Sequence, residues 1–316
     1  MFKSKKFLII ILSFILIFSL SACSKDKVED TKEKKNITET SLETKYPLTI
    51  KDSYNRQITL DKEPEKIISI APNITETIYA IDKSNKLIGR TDFCNYPAEV
   101  KNISSIGSLQ NPSIEKIVDL KPDLVIASTH FKKDVLKKLE DLGVKVLVLY
   151  GEENFEGAYD TIEKMGKVLN ANNKAKEIVV NMKKKVSDVE TKVSGKTPPS
   201  VYYVIGFGKS GDYTAGKDTF IDKMITMAGG KNVAKDAVGW KYSIEKLLEK
   251  NPEIMICSKY FNVKEDLKKA NGYKDLDAIK KGKLFEIDNN MLDRQGPRLA
   301  DGLEQLAKIL HPEAFK

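Results

Sequence analysis

Histidine is almost missing from this 316-residue chain: His130 and His311 are the only two. Zinc and manganese centres usually draw several ligands from histidine, and general acid–base catalysis relies on it most often. GxSxG, HExxH and CxxC patterns are absent too, so no catalytic residue and no metal centre is expected. Cysteine is scarce. Cys23, Cys94 and Cys257 lie far apart, and their spacing requires no disulfide. No apolar run reaches the roughly 20 residues that cross a bilayer. The longest, residues 7–20, is broken by Ser13 and Ser19. The formal charge is +8, but the lysines are interspersed with many acids and gather on no one element, which excludes a nucleic-acid surface.

That short apolar run is informative in itself. Before it stand Lys3, Lys5 and Lys6 with no acid; after it comes Leu20-Ser21-Ala22-Cys23. A charged start, a short hydrophobic core and small residues mark an export signal. The last four residues resemble the bacterial lipobox, whose cysteine is acylated. Residues 1–22 are therefore expected to be a lipoprotein signal peptide, with Cys23 lipidated on the extracytoplasmic face of the cell membrane. Stable anchoring of that kind takes more than one acyl chain. Residues 23–45 are charged and nearly free of large apolar groups, so they are expected to form a flexible tether. Asn36-Ile37-Thr38 matches a glycosylation acceptor, but beside a bacterial signal it reads as chance.

The body carries an internal duplication. Residues 113–128 (SIEKIVDLKPDLVIAS) align without gaps to 243–258 (SIEKLLEKNPEIMICS). Both copies predict a short helix, a turn at proline and a buried strand: Ser113 and Ser243 suit the N-cap, and Pro122 and Pro252 stop the helix. The runs 124–127 and 254–257 are continuously apolar, as parallel strands covered on both faces should be. A spacing near 130 residues is far longer than solenoid periods and points to two related lobes.

Each half alternates strand and helix. Strands are expected at 66–71, 87–90, 124–127 and 144–149, then at 201–205, 254–257 and 284–287, with helices at 219–228 and 299–310. Ile74, Ile78 and Ile81 mark one helix face. Between the halves, 155–169 and 171–193 predict two helices. The second holds no glycine or proline and would run about 33 Å. The expected class is therefore α/β: two Rossmann-like lobes with central, mainly parallel sheets, joined by one long rigid helix. The boundaries are 46–150 for the first lobe, 151–195 for the helical connection and 196–316 for the second lobe.

Five segments then carry a family resemblance: 66–81 (KIISIAPNITETIYAI), 91–97 (TDFCNYP), 107–127, 214–234 and 293–315 (DRQGPRLADGLEQLAKILHPEAF). In this order they are similar to the substrate-binding proteins of ABC importers for cobalamin, siderophores or haem. The resemblance spans about residues 46–316. It implies a monomer that is no enzyme, has no cofactor of its own, and serves an ABC permease dimer with its cytoplasmic ATPase. It further implies that Glu115 and Glu245, the glutamates of the duplication, dock on basic permease sites. The same glutamates also complement their helix N-termini. In such proteins the ligand lies on loops between the lobes, which here hold Asn73, Phe93, Tyr96, Phe131, Phe207, Tyr213, Trp240, Tyr260 and Arg294. Residues 93–97 and 293–298 resemble the YCDYP-like and RPGPR-like segments of cobalamin-binding members, and cobalamin is the expected ligand. Phe93, Asn95 and Gln295 depart from that pattern. A ferric siderophore held by Arg294 is the alternative, and haem on His130 or Met291 a third.

Two nucleotide-like patterns fail on context. Gly206 to Gly211 fits GxGxxG, but a turn-like stretch follows where a helix is required; Gly211 to Lys217 fits GxxxxGK, but Asp218 stands where a magnesium-binding hydroxyl belongs. His311 is expected in a surface tail.

Overall fold

The computed structural model describes residues 43–209 and 211–316. The expected signal peptide, Cys23, Asn36 and all of the tether before Glu43 lie outside the described residues.

The chain opens with an antiparallel hairpin, β1 (Leu48–Lys51) and β2 (Gln57–Leu60). The first lobe follows as β3 (Ile67–Ser69), α1 (Pro72–Ala80), β4 (Leu87–Arg90), α2 (Ile114–Asp119), β5 (Leu124–Ala127), α3 (Lys133–Asp141) and β6 (Val146–Val148). Two helices connect the lobes, α4 (Phe155–Val168) and α5 (Asn172–Val193). The second lobe comprises β7 (Ser200–Gly206), β8 (Tyr213–Thr214), α6 (Phe220–Met227), β9 (Lys231–Asn232), α7 (Ile244–Lys250) and β10 (Ile254–Ser258). It ends with α8 (Val263–Leu267), α9 (Asp277–Lys280), β11 (Leu284–Ile287), α10 (Asn290–Asp293) and α11 (Leu299–Leu310).

Topology carries the duplication further than the sequence alignment does. The first sheet has the order β4-β3-β5-β6, all parallel; in the second, β9-β7-β10-β11 is also all parallel, and β8 adds an antiparallel strand on β7. In both copies the predicted cap forms: Ser113 Oγ accepts the Lys116 N–H at 3.3 Å and Ser243 Oγ the Lys246 N–H at 3.2 Å. Even the residues before the two prolines match, with Lys121 (φ 49°) and Asn251 (φ 41°) both left-handed.

Alternation along the buried strands builds three cores from two sheets. On one face Ile67, Leu124, Ile126, Val201, Tyr203, Ile254 and Ile256 join a core shared by both lobes. On the other face Ile68, Val125 and Ala127 pack in the first lobe alone, and Tyr202, Val204, Met255 and Cys257 in the second. Helix α5 offers Ala175, Val179, Met182, Val189 and Val193 to the shared core as a single stripe. Phe155 of α4 meets Phe220 of α6 edge-on at 5.6 Å. The rigid connection is thus a packed layer, more than a bare strut.

Four local expectations change. Thr44, assigned to the tether, is tied down: its N–H donates to Asn170 Oδ1 (2.8 Å) and its hydroxyl to the Lys167 carbonyl (2.8 Å). The hairpin β1–β2 was not foreseen. The stretch after Gly211 contains β8, because Tyr213 and Thr214 pair back onto β7. His311 is buried, not in a surface tail, with Nε2 3.0 Å from the Gly229 carbonyl oxygen. Cys94 and Cys257 are free thiols in different cores.

Candidate ligand-binding cleft

In open parallel sheets the groove lies beyond the carboxyl ends of the strands. Here those ends face one another across the lobes. Three adjoining cavities fill the space between them. The central one, about 240 Å³, is lined from the first lobe by Asn73, Ser128 and His130, from the helical connection by Glu153, and from the second lobe by Asp293, Arg294 and Gln295. It shares Asp293 with a cavity of about 520 Å³ lined by Tyr203, Ile205, Tyr213, Trp240, Ser258 and Asn289. It shares Leu109 and His130 with one of about 550 Å³ beside Phe93 and Gln110. Together they form one groove.

The expected ligand residues divide into two groups. Asn73, Phe93, Tyr213 and Trp240 line the groove. Phe93 and Trp240 expose 58% and 48% of their surface, one from each lobe, which leaves aromatic faces free for a ligand. Tyr260 stands just outside, its hydroxyl donating to Asp288 Oδ1 at 3.0 Å. Phe131 is a core residue: after His130, which is left-handed at φ 64° and exposed, the chain turns Phe131 inward among Val135, Leu136 and Val148. Phe207 packs edge-on against Tyr273 at 5.7 Å at the border of the second lobe's core. Tyr96 faces a separate cavity of about 440 Å³ along α5, its ring 3.8 Å from the Arg298 guanidinium. Met291, considered as a haem ligand, is buried and lines none of these groove cavities.

Arg294 is already engaged. Its guanidinium donates to Glu76 Oε1 (2.7 Å), Asn95 Oδ1 (2.8 Å) and the Phe93 carbonyl (3.2 Å), all in the other lobe. Arg298 grips the same carboxylate, Nε to Oε2 at 2.9 Å and Nη2 to Oε1 at 2.8 Å. The three side chains are only 2% (Glu76), 12% (Arg294) and 13% (Arg298) exposed. Burial would lower the Arg298 pKa, but the bonds to Glu76 outweigh it and hold the group charged. Asp288 extends the network. Burial pushes its carboxyl up, yet bonds from Lys259 and Tyr260 prevail and bring it below its ordinary value.

The model of the family described as periplasmic binding proteins matches residues 67–291. The chain belongs to this family. It is 34% identical over 278 residues to the uncharacterized ABC transporter substrate-binding lipoprotein YvrC of Bacillus subtilis, covering 86% of this chain and 88% of that one. Among solved structures it is similar to a possible iron-binding, periplasmic solute-binding protein of Staphylococcus epidermidis, at 30% identity and a TM-score of 0.69 over 79% of this chain and all of the other. It is also similar to the vitamin B12-binding protein BtuF of Vibrio cholerae, at 25% identity and a TM-score of 0.67 over 80% and 99%. As a member of the periplasmic binding proteins the chain is a solute-binding protein and not an enzyme.

For a binding protein of two lobes, the outward carboxylates matter next. Glu115 and Glu245 sit in the first turns of α2 and α7 and are exposed. Neither makes an ion pair or side-chain hydrogen bond among the described residues. Glu115 and Glu245 are therefore uncommitted carboxylates at equivalent places in the two lobes. Two residues of this periplasmic binding protein escaped sequence reasoning. Glu76 is the lone charge in Pro72-Asn73-Ile74-Thr75-Glu76-Thr77-Ile78, an otherwise uncharged buried helix face, and that was its one signal. Asp293 lies in the 293–298 segment, whose expected ligand contact is its neighbour Arg294.

Proposed function

We propose that this protein is the lipid-anchored, extracytoplasmic substrate-binding component of an ABC importer, and that it carries a corrinoid in the groove between its lobes. The observation that carries the ligand is the groove's combination of free aromatic faces, Phe93 and Trp240, with an arginine already paired with Glu76. Arg294 is the single Lys or Arg among the described lining residues. A broad, flat, amide-bearing ligand without net negative charge suits such a surface; an anionic ferric chelate would find no unpaired Lys or Arg among the described lining residues. The likeness to a vitamin B12-binding protein supports the same reading.

Trp240 is the sole tryptophan, and corrinoid absorbance overlaps indole emission. Cyanocobalamin should therefore quench the fluorescence of the purified soluble body at one ligand per protein. Trp240→Ala should remove about 2–4 kcal/mol of binding, the scale of an aromatic anchor. Absence of both quenching and thermal stabilisation at high micromolar cyanocobalamin would overturn the corrinoid reading. One observation favours haem as the second reading: His130 is exposed and lines two of the three groove cavities. Haem coordination would show as a Soret shift that His130→Ala abolishes.

Delivery then needs a membrane and a permease. Cys23→Ser should leave the precursor unprocessed or release the protein from the membrane fraction. Persistent acylation of that variant would end the lipoprotein reading.

A further inference from the structure

Asp293 and Arg294 are adjacent in sequence and differently employed. Arg294 is tied to the first lobe by Glu76, Asn95 and the Phe93 carbonyl. Asp293 closes the short helix α10 and lines both the 240 Å³ and the 520 Å³ cavity, so it stands where they meet. Its position is set from behind: Ser258 Oγ donates to Asn289 Oδ1 at 2.7 Å, and Asn289 Nδ2 donates to Asp293 Oδ2 at 2.7 Å. The other oxygen, Oδ1, has no hydrogen-bond partner among the described residues.

Asp293 is exposed to solvent yet hemmed in by surrounding protein. That crowding pushes its carboxyl above the ordinary aspartate value, partly offset by the Asn289 bond and the nearby Arg294 charge. A carboxylate oriented on one side and open on the other has spare capacity to accept hydrogen bonds. In a groove whose arginine is already paired, it also makes the local field unfavourable to an anion.

We propose that Asp293 is the polar anchor of the groove, accepting hydrogen bonds from amide N–H groups of the ligand and turning away anionic chelates. This rests on the reading of the groove as a corrinoid site and names the group that would hold the ligand's edge.

The test is calorimetric titration of the soluble body with cyanocobalamin and, separately, with ferric citrate. Wild type is compared with Asp293→Ala and with the near-isosteric Asp293→Asn, and circular dichroism checks the fold. Asp293→Ala should weaken cyanocobalamin by about tenfold, the scale of one charge-assisted hydrogen bond. Asp293→Asn keeps an acceptor and should lose less, while its affinity for ferric citrate should rise. If folded Asp293→Ala binds cyanocobalamin within about twofold of wild type, the anchor is refuted, whatever becomes of the corrinoid reading. Should wild type bind ferric citrate and not cyanocobalamin, the corrinoid reading falls instead. Asp293 is then judged on that ligand: tighter ferric citrate binding by Asp293→Asn supports its place in the groove, and unchanged binding refutes it.

Discussion

Glu76→Ala should cost the folded protein about 3–5 kcal/mol, because removing one partner of a buried ionic cluster strands the charges that remain. Two guanidinium groups depend on this one carboxylate. Arg294 would keep only the Asn95 and Phe93 oxygens, and Arg298 a looser contact to Asp288 at 3.6 Å. Typical stabilities are about 5–15 kcal/mol, so the loss would be a large share of the whole. For a body of this size it corresponds to a melting temperature lower by about 6–20 °C. Urea denaturation of the soluble body measures it directly. Replacing Arg294 and Arg298 by methionine in the same variant should recover much of the loss, since apolar groups of similar volume often match a buried ion cluster in stability. A single Glu76→Ala variant that loses less than about 1 kcal/mol would show that the cluster is solvated and does not tie the lobes.

Glu115→Arg combined with Glu245→Arg should abolish uptake while leaving ligand affinity and thermal stability close to wild type. Both side chains are exposed and lack partners among the described residues, so the fold loses little. Each substitution places a positive charge where a basic permease site is expected, and like-charge repulsion costs more than the absence of one bond. Vesicle transport assays with the purified body separate docking from binding. Each single substitution should reduce transport partially, because one lobe can still dock. Normal transport by the double variant would remove the docking role and leave the two glutamates as complements of their helix N-termini.

Why Glu115 and Glu245 were legible and Glu76 was not follows from the range of the interactions involved. These two glutamates lie in a local pattern of cap, acidic first turn and terminating proline, and that pattern occurs twice. Short-range chemistry set it, so linear spacing revealed it. Glu76 acts through residues more than two hundred positions away, and no local rule links a helix acid to a distant arginine motif. The aromatic residues make the same point from the other side. Phe131 and Trp240 looked alike as loop aromatics, yet one is 4% exposed and the other 48%. The left-handed turn at His130 decided the first. For the second, the backbone of Trp240 is held against β8, where its carbonyl accepts the Thr214 N–H at 2.7 Å.

The sequence by itself determined the elements that local chemistry dictates. It placed β4, β5, β11 and α11 at their observed bounds, set α4 and α5 within a residue, marked the buried face of α1 without its bounds, and called for two lobes through the duplicated cap-and-strand unit. Continuous apolar runs already implied sheets covered on both faces, which the shared and separate cores fulfil. Tertiary structure alone decided which side chains the groove receives. Arg294 went to Glu76 because a guanidinium turned inward between two lobes must find a carboxylate, whereas Asp293 beside it remained open to the groove. The order of residues along a loop carries no record of which one meets a partner from the other lobe, since that partner arrives only when the shared core closes.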